Sequence, residues 1–466
     1  MGFLQKIYKH VPVFAQNVMV SVYGYGWRRR RFGGVFEQEF RGYKERENFT
    51  AAQWAEYQKI ELINLLVYVI DNVPFYKEKY TRLRFTKEQF RNFELADLVK
   101  LPYLDKDELR QFGDNTLLAY NKQKGNFYAS SGSTGTPTRI YFSPLMHQKW
   151  SAGFEARIRN WAGLDHFMPR GMIGGRRVLP EGESKGPFYR YNLAEKQVYF
   201  SAYHISPANT PGYVHAIDKH KLVYMTGYAM SNYFLARFIN DLSIKAPQLK
   251  AVITSSEKLS GEMRDEFFKA YGCRTYDTWS GVEACGIISE CEKGSLHISP
   301  DLAILEVLDE NGQPVKKGET GELVCTGFLN YDQPLIRYRI GDKVTLSDKT
   351  CSCGRDMPVI EEIVGRTEDV VIGKDGREMV RFHGIFIDIM SIIQGQVIQE
   401  TLDHIIVRVA VSKPLSISEK ELIRKRAVSQ LGDINVEIQE VNEIPIGANG
   451  KYRAVISKVK QRGIIK

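Results

Sequence analysis

The chain has 466 residues, 43% of them hydrophobic and 26% charged, with a net charge of +9; single cores stop growing near about 250–300 residues, so a large and a smaller domain are expected. No apolar run approaches the roughly 20 residues of a membrane-spanning helix. No secretory pattern is visible, and Lys6 stands where a myristoylation signal needs Ser or Thr, so a soluble cytoplasmic protein is expected, its six cysteines serving core packing or metal binding.

In chain order, residues 1–50 come first, with nine Lys or Arg against four Asp or Glu, a local charge of +5. Leu4, Ile7, Tyr8 and Val11 share one helical face, and Tyr23, Tyr25 and Trp27 run into Arg28-Arg29-Arg30-Arg31. Two readings follow: an amphipathic helix packed on the main domain beside a solvated basic turn, or a contact with a membrane surface or anionic partner. No nucleic-acid-binding motif accompanies the charge, so nucleic acid is not expected as a partner.

Residues 50–110 read as helical. Apolar positions recur from Gln53 to Ile70, and Asn72-Val73-Pro74 should end that helix, because a residue before proline is driven out of the α region. From 125 to 345, short strand-like runs alternate with helical stretches: Leu249 to Thr254, then Gly261 to Tyr271, then Cys273 to Trp279. Such alternation predicts α/β layers with parallel sheet. Ala303 to Leu308, a turn at Asp309-Glu310-Asn311-Gly312, and Gly321 to Thr326 read as a hairpin of a β subdomain. Beyond Gly365-Arg366 the chain carries its own strand, His404 to Val411, and helix, Ser418 to Leu431. The expected fold class is α/β: a large multilayer α/β domain with a β subdomain over 1–365, and a small α+β domain over 366–466.

The densest chemical signal is Ser130, Ser131, Gly132, Ser133, Thr134, Gly135, Thr136, Pro137 and Thr138. Glycines let backbone N–H groups approach an anion closely, and hydroxyls add donors without bulk, which is chemistry for polyphosphate. Strand-like runs on both sides, Asn126 to Tyr128 and Ile140 to Phe142, make it a hairpin loop rather than a linker. It lacks the Gly-Lys-Ser/Thr ending of the common nucleotide loop, so another lysine must supply the charge.

This loop resembles that of the adenylate-forming superfamily of acyl-CoA synthetases, adenylation domains and luciferases. The closest resemblance is to the phenylacetate–coenzyme A ligase branch and its capsule-biosynthesis relatives, from about residue 50 to 455. Further motifs follow in the family's order. Trp279-Ser280-Gly281-Val282-Glu283 resembles the segment whose aromatic residue stacks on adenine and whose glutamate holds Mg²⁺, a role suited to a hard oxygen ligand. Here Trp279 replaces the commoner Tyr and Val282 the usual Ser or Thr. Thr254-Ser255-Ser256-Glu257 stands in the place of the adenine-side loop. Asp342, after Arg337 and Arg339, resembles the aspartate that accepts both ribose hydroxyls. Gly365-Arg366-Thr367-Glu368-Asp369 resembles the hinge, with Arg366 beside the nucleotide and Glu368 as pivot of a mobile small domain. Lys451, in Ile444 to Arg453, resembles the lysine that reaches the α-phosphate and the attacking carboxylate; removing one such stabiliser costs about 10²–10³ in rate.

Cys291, His297, Cys351 and Cys353 form a Cys-x5-His half and a Cys-x-Cys half. Three thiolates and one imidazole suit a closed, structural zinc site, and capsule-branch relatives carry the same two halves. Cys273, Cys285 and Cys325 read as core, and His204 and His383 as structural.

The resemblance implies ATP, Mg²⁺ and coenzyme A as cofactors or substrates, and adenylation of a small carboxylic acid followed by transfer to coenzyme A. Two alternatives stand beside it: transfer to an amine or sugar in capsule, polysaccharide or natural-product tailoring, and a noncatalytic assembly protein on the same fold. Relatives build the acyl pocket from the segment matching Gly174 to Tyr228. Here that segment holds Phe188, Tyr189, Tyr191, Tyr199, Phe200, Tyr203, Tyr224 and Tyr228, which suits an aromatic acid.

Overall fold

The structure is a computed structural model that describes residues 8, 10–129, 138–175, 178–179, 185–257, 259–364, 371–375, 378–379, 383–386, 389, 391–442, 444 and 455–459. Helices dominate as far as residue 112. The helix Ala51–Asn72 opens on a capping box in which Thr50 and Gln53 satisfy each other's backbone N–H groups. It buries Trp54, Leu62, Leu65, Leu66 and Val69, whose spacing of three and four residues keeps one face on the core. Val73 is extended (φ −118°, ψ 109°) and Pro74 opens the helix Pro74–Arg82, where its fixed φ is an advantage. The expected helix end is in place.

At the N-terminus, Leu4 and Ile7 lie outside the described residues. The run Arg28 to Arg31 departs from the expected solvated turn: it is the last stretch of the helix Val13–Phe32, which carries no acidic residue in its first turn and Arg29, Arg30 and Arg31 in its last. Cations at a helix C-terminus complement the backbone dipole, and here most also find acceptors in the main domain. Arg28 Nη1 donates to the Ala194 carbonyl at 2.9 Å, Arg30 Nη2 to the Phe142 carbonyl at 2.8 Å, and Arg31 pairs with Glu195. The packed-helix reading therefore accounts for these three arginines. Among the described residues no helix is long and apolar enough to cross a membrane.

Four groups of strands follow. β1 (Asn126–Ala129) and β2 (Arg139–Phe142) form an antiparallel pair that frames the hydroxyl-rich loop. Twelve strands make one sheet: β3 (Arg170–Gly174), β4 (Tyr189–Asn192), β5 (Gln197–Ser201), β6 (Tyr224–Tyr228), β7 (Ala251–Ser255), β8 (Arg274–Ser280), β9 (Ile287–Glu290), β10 (Leu296–Ile298), β11 (Ala303–Leu308), β12 (Thr320–Gly327), β13 (Tyr338–Leu346) and β14 (Val359–Ile363). Their order is β11-β12-β13-β14-β10-β9-β8-β7-β6-β3-β5-β4. The run β5-β3-β6-β7-β8 is parallel, and from β8 onward every pairing through β9 to β11 is antiparallel. The expected β hairpin exists, but its strands extend the main sheet rather than forming a sheet of their own.

Beyond the short pair β15 (Val371–Ile372) and β16 (Glu378–Met379), a four-stranded sheet runs β19 (Asn435–Val441), β18 (His404–Val411), β17 (Ile392–Thr401) and β20 (Val455–Ser457). The helix Ile417–Leu431 covers it, and Val397, Ile405, Val407, Val409, Ile423, Ala427 and Leu431 form a core of their own. The fold is the mixed α/β arrangement expected, with a large sheet and a C-terminal unit.

Candidate active site and metal centre

β8 is the strand at which the parallel half of the sheet meets the antiparallel half, and Trp279 and Ser280 end it. In open α/β sheets, ligands bind outside the carboxyl ends of parallel strands. Ser256 and Glu257 follow the carboxyl end of the parallel neighbour β7, and Ser256 holds φ 72°, a left-handed conformation that side chains seldom adopt.

Past β8 the chain turns sharply at Gly281. A Cβ at that position would lie 2.5 Å from Glu283 Oε2, so a larger residue would push the carboxylate out of the place it takes beside its own turn. Glu283 is buried, and Thr138 Oγ1, the last hydroxyl of the phosphate-type loop, donates to its Oε1 at 3.3 Å. The indole N–H of Trp279 donates to Asp342 Oδ2, in β13, at 3.0 Å. The Cys325 thiol is raised well above its ordinary range by burial first, with Cys285, Asp342 and Glu283 adding to the effect. Both carboxylates therefore act on one buried sulfur.

Thr138, Trp279, Ser280, Glu283 and Asp342 are thus brought together, and Ser256 and Glu257 sit at the same strand ends. Ser130, Ser131, Gly132, Ser133, Thr134, Gly135, Thr136, Arg366, Glu368 and Lys451 lie outside the described residues. Arg337 holds the fold together beside the site. It is buried, pairs with Glu306 at 2.8 Å and donates to the Val99 and Leu101 carbonyls.

The four expected metal ligands converge from two hairpins. Cys291 follows β9, His297 lies in β10, and Cys351 and Cys353 occupy the connection from β13 to β14; β10 pairs with β14 through His297 and Val359. Their ligand atoms all lie within 4.8 Å of one another, with Cys291 and Cys351 sulfurs 3.6 Å apart and Cys353 Sγ 3.5 Å from His297 Nε2. The other ring nitrogen, Nδ1, lies 3.3 Å from the Met357 carbonyl, the orienting contact common behind metal-bound histidines. Burial raises the Cys291 and Cys353 thiols and the neighbouring Cys351 adds to it, whereas Ser295 and the Cys353 N–H outweigh burial at Cys351 and bring it down to about 6. A soft divalent cation would relieve that crowding of sulfurs, and the donor set fits tetrahedral zinc. Cys273, Cys285 and Cys325 are buried core thiols, and His204 is buried with its Nδ1 2.8 Å from Ser201 Oγ, as expected of structural residues.

Tyr189, Tyr199, Phe200, Tyr203 and Tyr224 are buried core side chains, while Phe188 stacks on His204 and Tyr191 on His220. A cavity of about 390 Å³ lies elsewhere, between the helix Val13–Phe32, the helix Pro144–Phe154 and the Gly281–Val282 turn. Trp27, Arg31, His147 and Arg159 line it. Sequence reasoning singles out Trp27 and Arg31 only as part of the basic N-terminal segment and does not mark His147 or Arg159. The one available signal is that Trp27 and Arg31 share a helical face. Burial, then Arg30 and Arg31, lower His147 to about 3, so the ring is neutral and its Nδ1 accepts from Arg30 Nε at 2.8 Å.

Comparison with known proteins agrees with this architecture. Residues 371–458 match the family model described as the CapK C-terminal domain. The chain is 26% identical over 467 residues to Protein CapK of Staphylococcus aureus, covering 98% of this chain and all of that one. It is also 26% identical over 337 residues to a phenylacetate-coenzyme A ligase of Thermus thermophilus, covering 68% of this chain and 71% of the relative. Among solved structures, 2-hydroxyisobutyryl-CoA ligase in complex with 2-HIB-AMP and CoA in the thioesterification state superposes with a TM-score of 0.57 at 20% identity, over 89% of this chain and 91% of that one. The same ligase in its postadenylation state gives 0.56 at 19% identity, over 89% and 92%. The chain is therefore related to Protein CapK and phenylacetate-coenzyme A ligases, and its fold is that of 2-hydroxyisobutyryl-CoA ligase.

Proposed function

We propose that the protein is an ATP-dependent ligase that converts a carboxylic acid to its acyl-adenylate and passes the acyl group to coenzyme A. The observation that supports this most is the convergence of Thr138, Trp279, Glu283 and Asp342 at the carboxyl end of β8. In this reading the loop Ser130 to Thr138 holds the β- and γ-phosphates through backbone N–H groups and hydroxyls. Trp279, Ser256, Glu257 and Ser280 flank the adenine, and Asp342, already oriented by the Trp279 N–H, accepts from the ribose diol. Glu283 would hold Mg²⁺, which when bound neutralises phosphate charge. Lys451 sits beside the α-phosphate and the substrate carboxylate, with Arg366 near the nucleotide. A carboxylate oxygen attacks the α-phosphorus, the bond to pyrophosphate breaks, and the acyl carbon is then taken by the coenzyme A thiolate with loss of AMP. Positioning and electrostatics supply most of the acceleration. We further propose that residues 366–466 swing about Glu368 between these half-reactions, that Cys291, His297, Cys351 and Cys353 hold a structural zinc, and that the enzyme works in the cytoplasm.

ATP–pyrophosphate exchange with a panel of acids tests the reading. Lys451→Ala should lower exchange on the order of 10²–10³-fold, and undiminished exchange would sink the assigned role.

A second reading keeps the adenylation and replaces coenzyme A by an amine or a sugar. What leaves room for it is that the relative aligned over 98% of the chain, Protein CapK, carries no acceptor in its name, whereas the Thermus coenzyme A ligase aligns over 68%. Product masses with coenzyme A, amine and sugar acceptors separate the two.

A further inference from the structure

The helix Val13–Phe32 packs along β4, the last strand in the order of the large sheet. An edge strand presents free backbone groups, and the helix meets them with polar side chains. Asn17 Oδ1 accepts from the Tyr191 N–H and Ser21 Oγ from the Leu193 N–H, each at 3.0 Å. Arg190 Nε donates to Gln16 Oε1, and Arg28, Arg30 and Arg31 reach the Ala194 carbonyl, the Phe142 carbonyl and Glu195. Val20 and Trp27 share this inner face.

The outer face is apolar. Phe14, Val18, Val22 and Tyr25 are 72%, 58%, 70% and 67% exposed. At about 100° and 1.5 Å per residue, the four fall within an arc of about 80° and form one row about 16 Å long. Between Phe14 and Arg29 that arc offers only the Tyr25 hydroxyl as a polar group. A helix packed on a soluble domain ordinarily turns its charged and polar residues to solvent. Scattered exposed apolar residues need no explanation, whereas an aligned row marks a surface that something apolar covers.

The row has a basic border. Arg29 lies in the same arc and is exposed. The turn Leu193–Lys196, held by Ser21 and Arg28, adds the exposed side chains of Leu193 and Lys196, and the Arg28 guanidinium lies 5.5 Å from the ring of the exposed Phe167. The helix itself contains no carboxylate. Of the carboxylates in the flanking turns, Glu195 is buried against Arg31, and Asp165 accepts from the Phe167 and Met168 N–H groups at 2.8 and 3.0 Å.

We propose that the outer face of the helix Val13–Phe32 docks on the surface of an anionic phospholipid bilayer, with the helix axis parallel to the membrane plane. Phe14, Val18 and Val22 enter the boundary between headgroups and acyl chains, Tyr25 sits at headgroup level, and Arg29 and Lys196 meet the lipid phosphates. A second copy of this chain has no carboxylate on this face to offer Arg29; an anionic headgroup supplies the missing charge. The proposal is independent of the adenylation reading, because none of these side chains belongs to the nucleotide site.

The test is co-sedimentation of the full chain with vesicles of phosphatidylcholine alone and of phosphatidylcholine and phosphatidylglycerol in equal parts. Binding to the mixed vesicles should be at least about 10-fold tighter and should weaken as salt is raised. Phe14→Gln together with Val22→Gln should lower it at least about 10-fold by removing the inserted apolar surface. Both positions are exposed, so the melting temperature should stay that of the parent. Arg29→Gln leaves the apolar row intact and should lower binding to the mixed vesicles alone, by about 5-fold, the effect of one cation near an anionic surface. Failure to sediment with either vesicle, equal binding to both, or binding unchanged in the double variant overturns the proposal. So does a vesicle-free dimer, seen by light scattering, that the double variant converts to monomer, since the row would then be an interface between copies.

Discussion

Trp279 donates its indole N–H to Asp342 Oδ2 at 3.0 Å, although β9, β10 and β14 separate their strands in the sheet order. Four strand steps span about 19 Å in a flat sheet. The contact therefore requires the antiparallel half of the sheet to curl back toward β8, and that curl brings Asp342 to the carboxyl end of β8.

Trp279→Phe keeps an aromatic ring and removes the donor together with one of the two fused rings. A half-buried carboxylate deprived of one hydrogen bond loses about 1–3 kcal/mol, so the KM for ATP should rise roughly 10-fold while kcat changes less. Initial rates of exchange against ATP concentration check this; an unchanged KM would show that the indole N–H does not hold Asp342 for the nucleotide.

Glu283→Gln preserves an oxygen for the Thr138 hydroxyl and removes the charge. Exchange should fall on the order of 10²–10³-fold, the usual cost of one charge-stabilising group, and the Mg²⁺ concentration for half-maximal rate should rise. The melting temperature should stay close to that of the parent. An activity loss with an unshifted Mg²⁺ dependence would argue against the metal role.

For the Cys291, His297, Cys351 and Cys353 cluster, elemental analysis of the purified protein should find zinc near one per chain. Cys353→Ser should lose most of it and melt earlier, since binding energy at a structural zinc is folding energy. Chelation should also lower the melting temperature without changing exchange per folded molecule. A metal-free parent protein of equal stability would refute the assignment.

Asp277 offers a pH-dependent signature. It is buried in β8, and burial raises its carboxyl to about 7, with Arg264 opposing and Glu290 adding. The native state keeps this proton up to about pH 7, whereas the unfolded chain releases it near the ordinary value of 3.8. Between those two values the native state binds more protons, so this group's contribution to stability falls as pH rises and levels off above about 7. Asp277→Asn should remove that slope. Melting curves of both proteins across the window measure it, and parallel curves would contradict the placement.

Much of this site is legible in residue order. Thr138, Trp279, Glu283 and Asp342 are each marked by residue type, spacing and family resemblance, and the strands flanking the loop, the helix Gly261–Tyr271 and the strand His404–Val411 fall where periodicity places them. What escapes is non-local. An aromatic side chain looks the same in sequence whether it lines a cavity or fills a core, and burial of Tyr224 and Phe200 within Gly174 to Tyr228 is seen only in the fold. Trp27 and Arg31 belong to a helix whose docking partners, Phe142, His147 and Glu195, lie more than a hundred residues away.

Residue order alone sets which chemistry can be present: hydroxyls and glycines in one loop, a carboxylate on each of two motifs, three thiols and an imidazole in two short halves. Local periods and turn residues also fix most elements, because they act over a few residues. The folded chain is needed to show that the antiparallel strands continue the parallel sheet and curl to bring Asp342 to Trp279, that β10 and β14 pair so His297 meets Cys353, and that the basic N-terminal helix closes a cavity beside Glu283. One cause underlies all three. Pairings between distant segments are chosen by the burial and hydrogen bonding of the whole chain at once, and no local pattern records them.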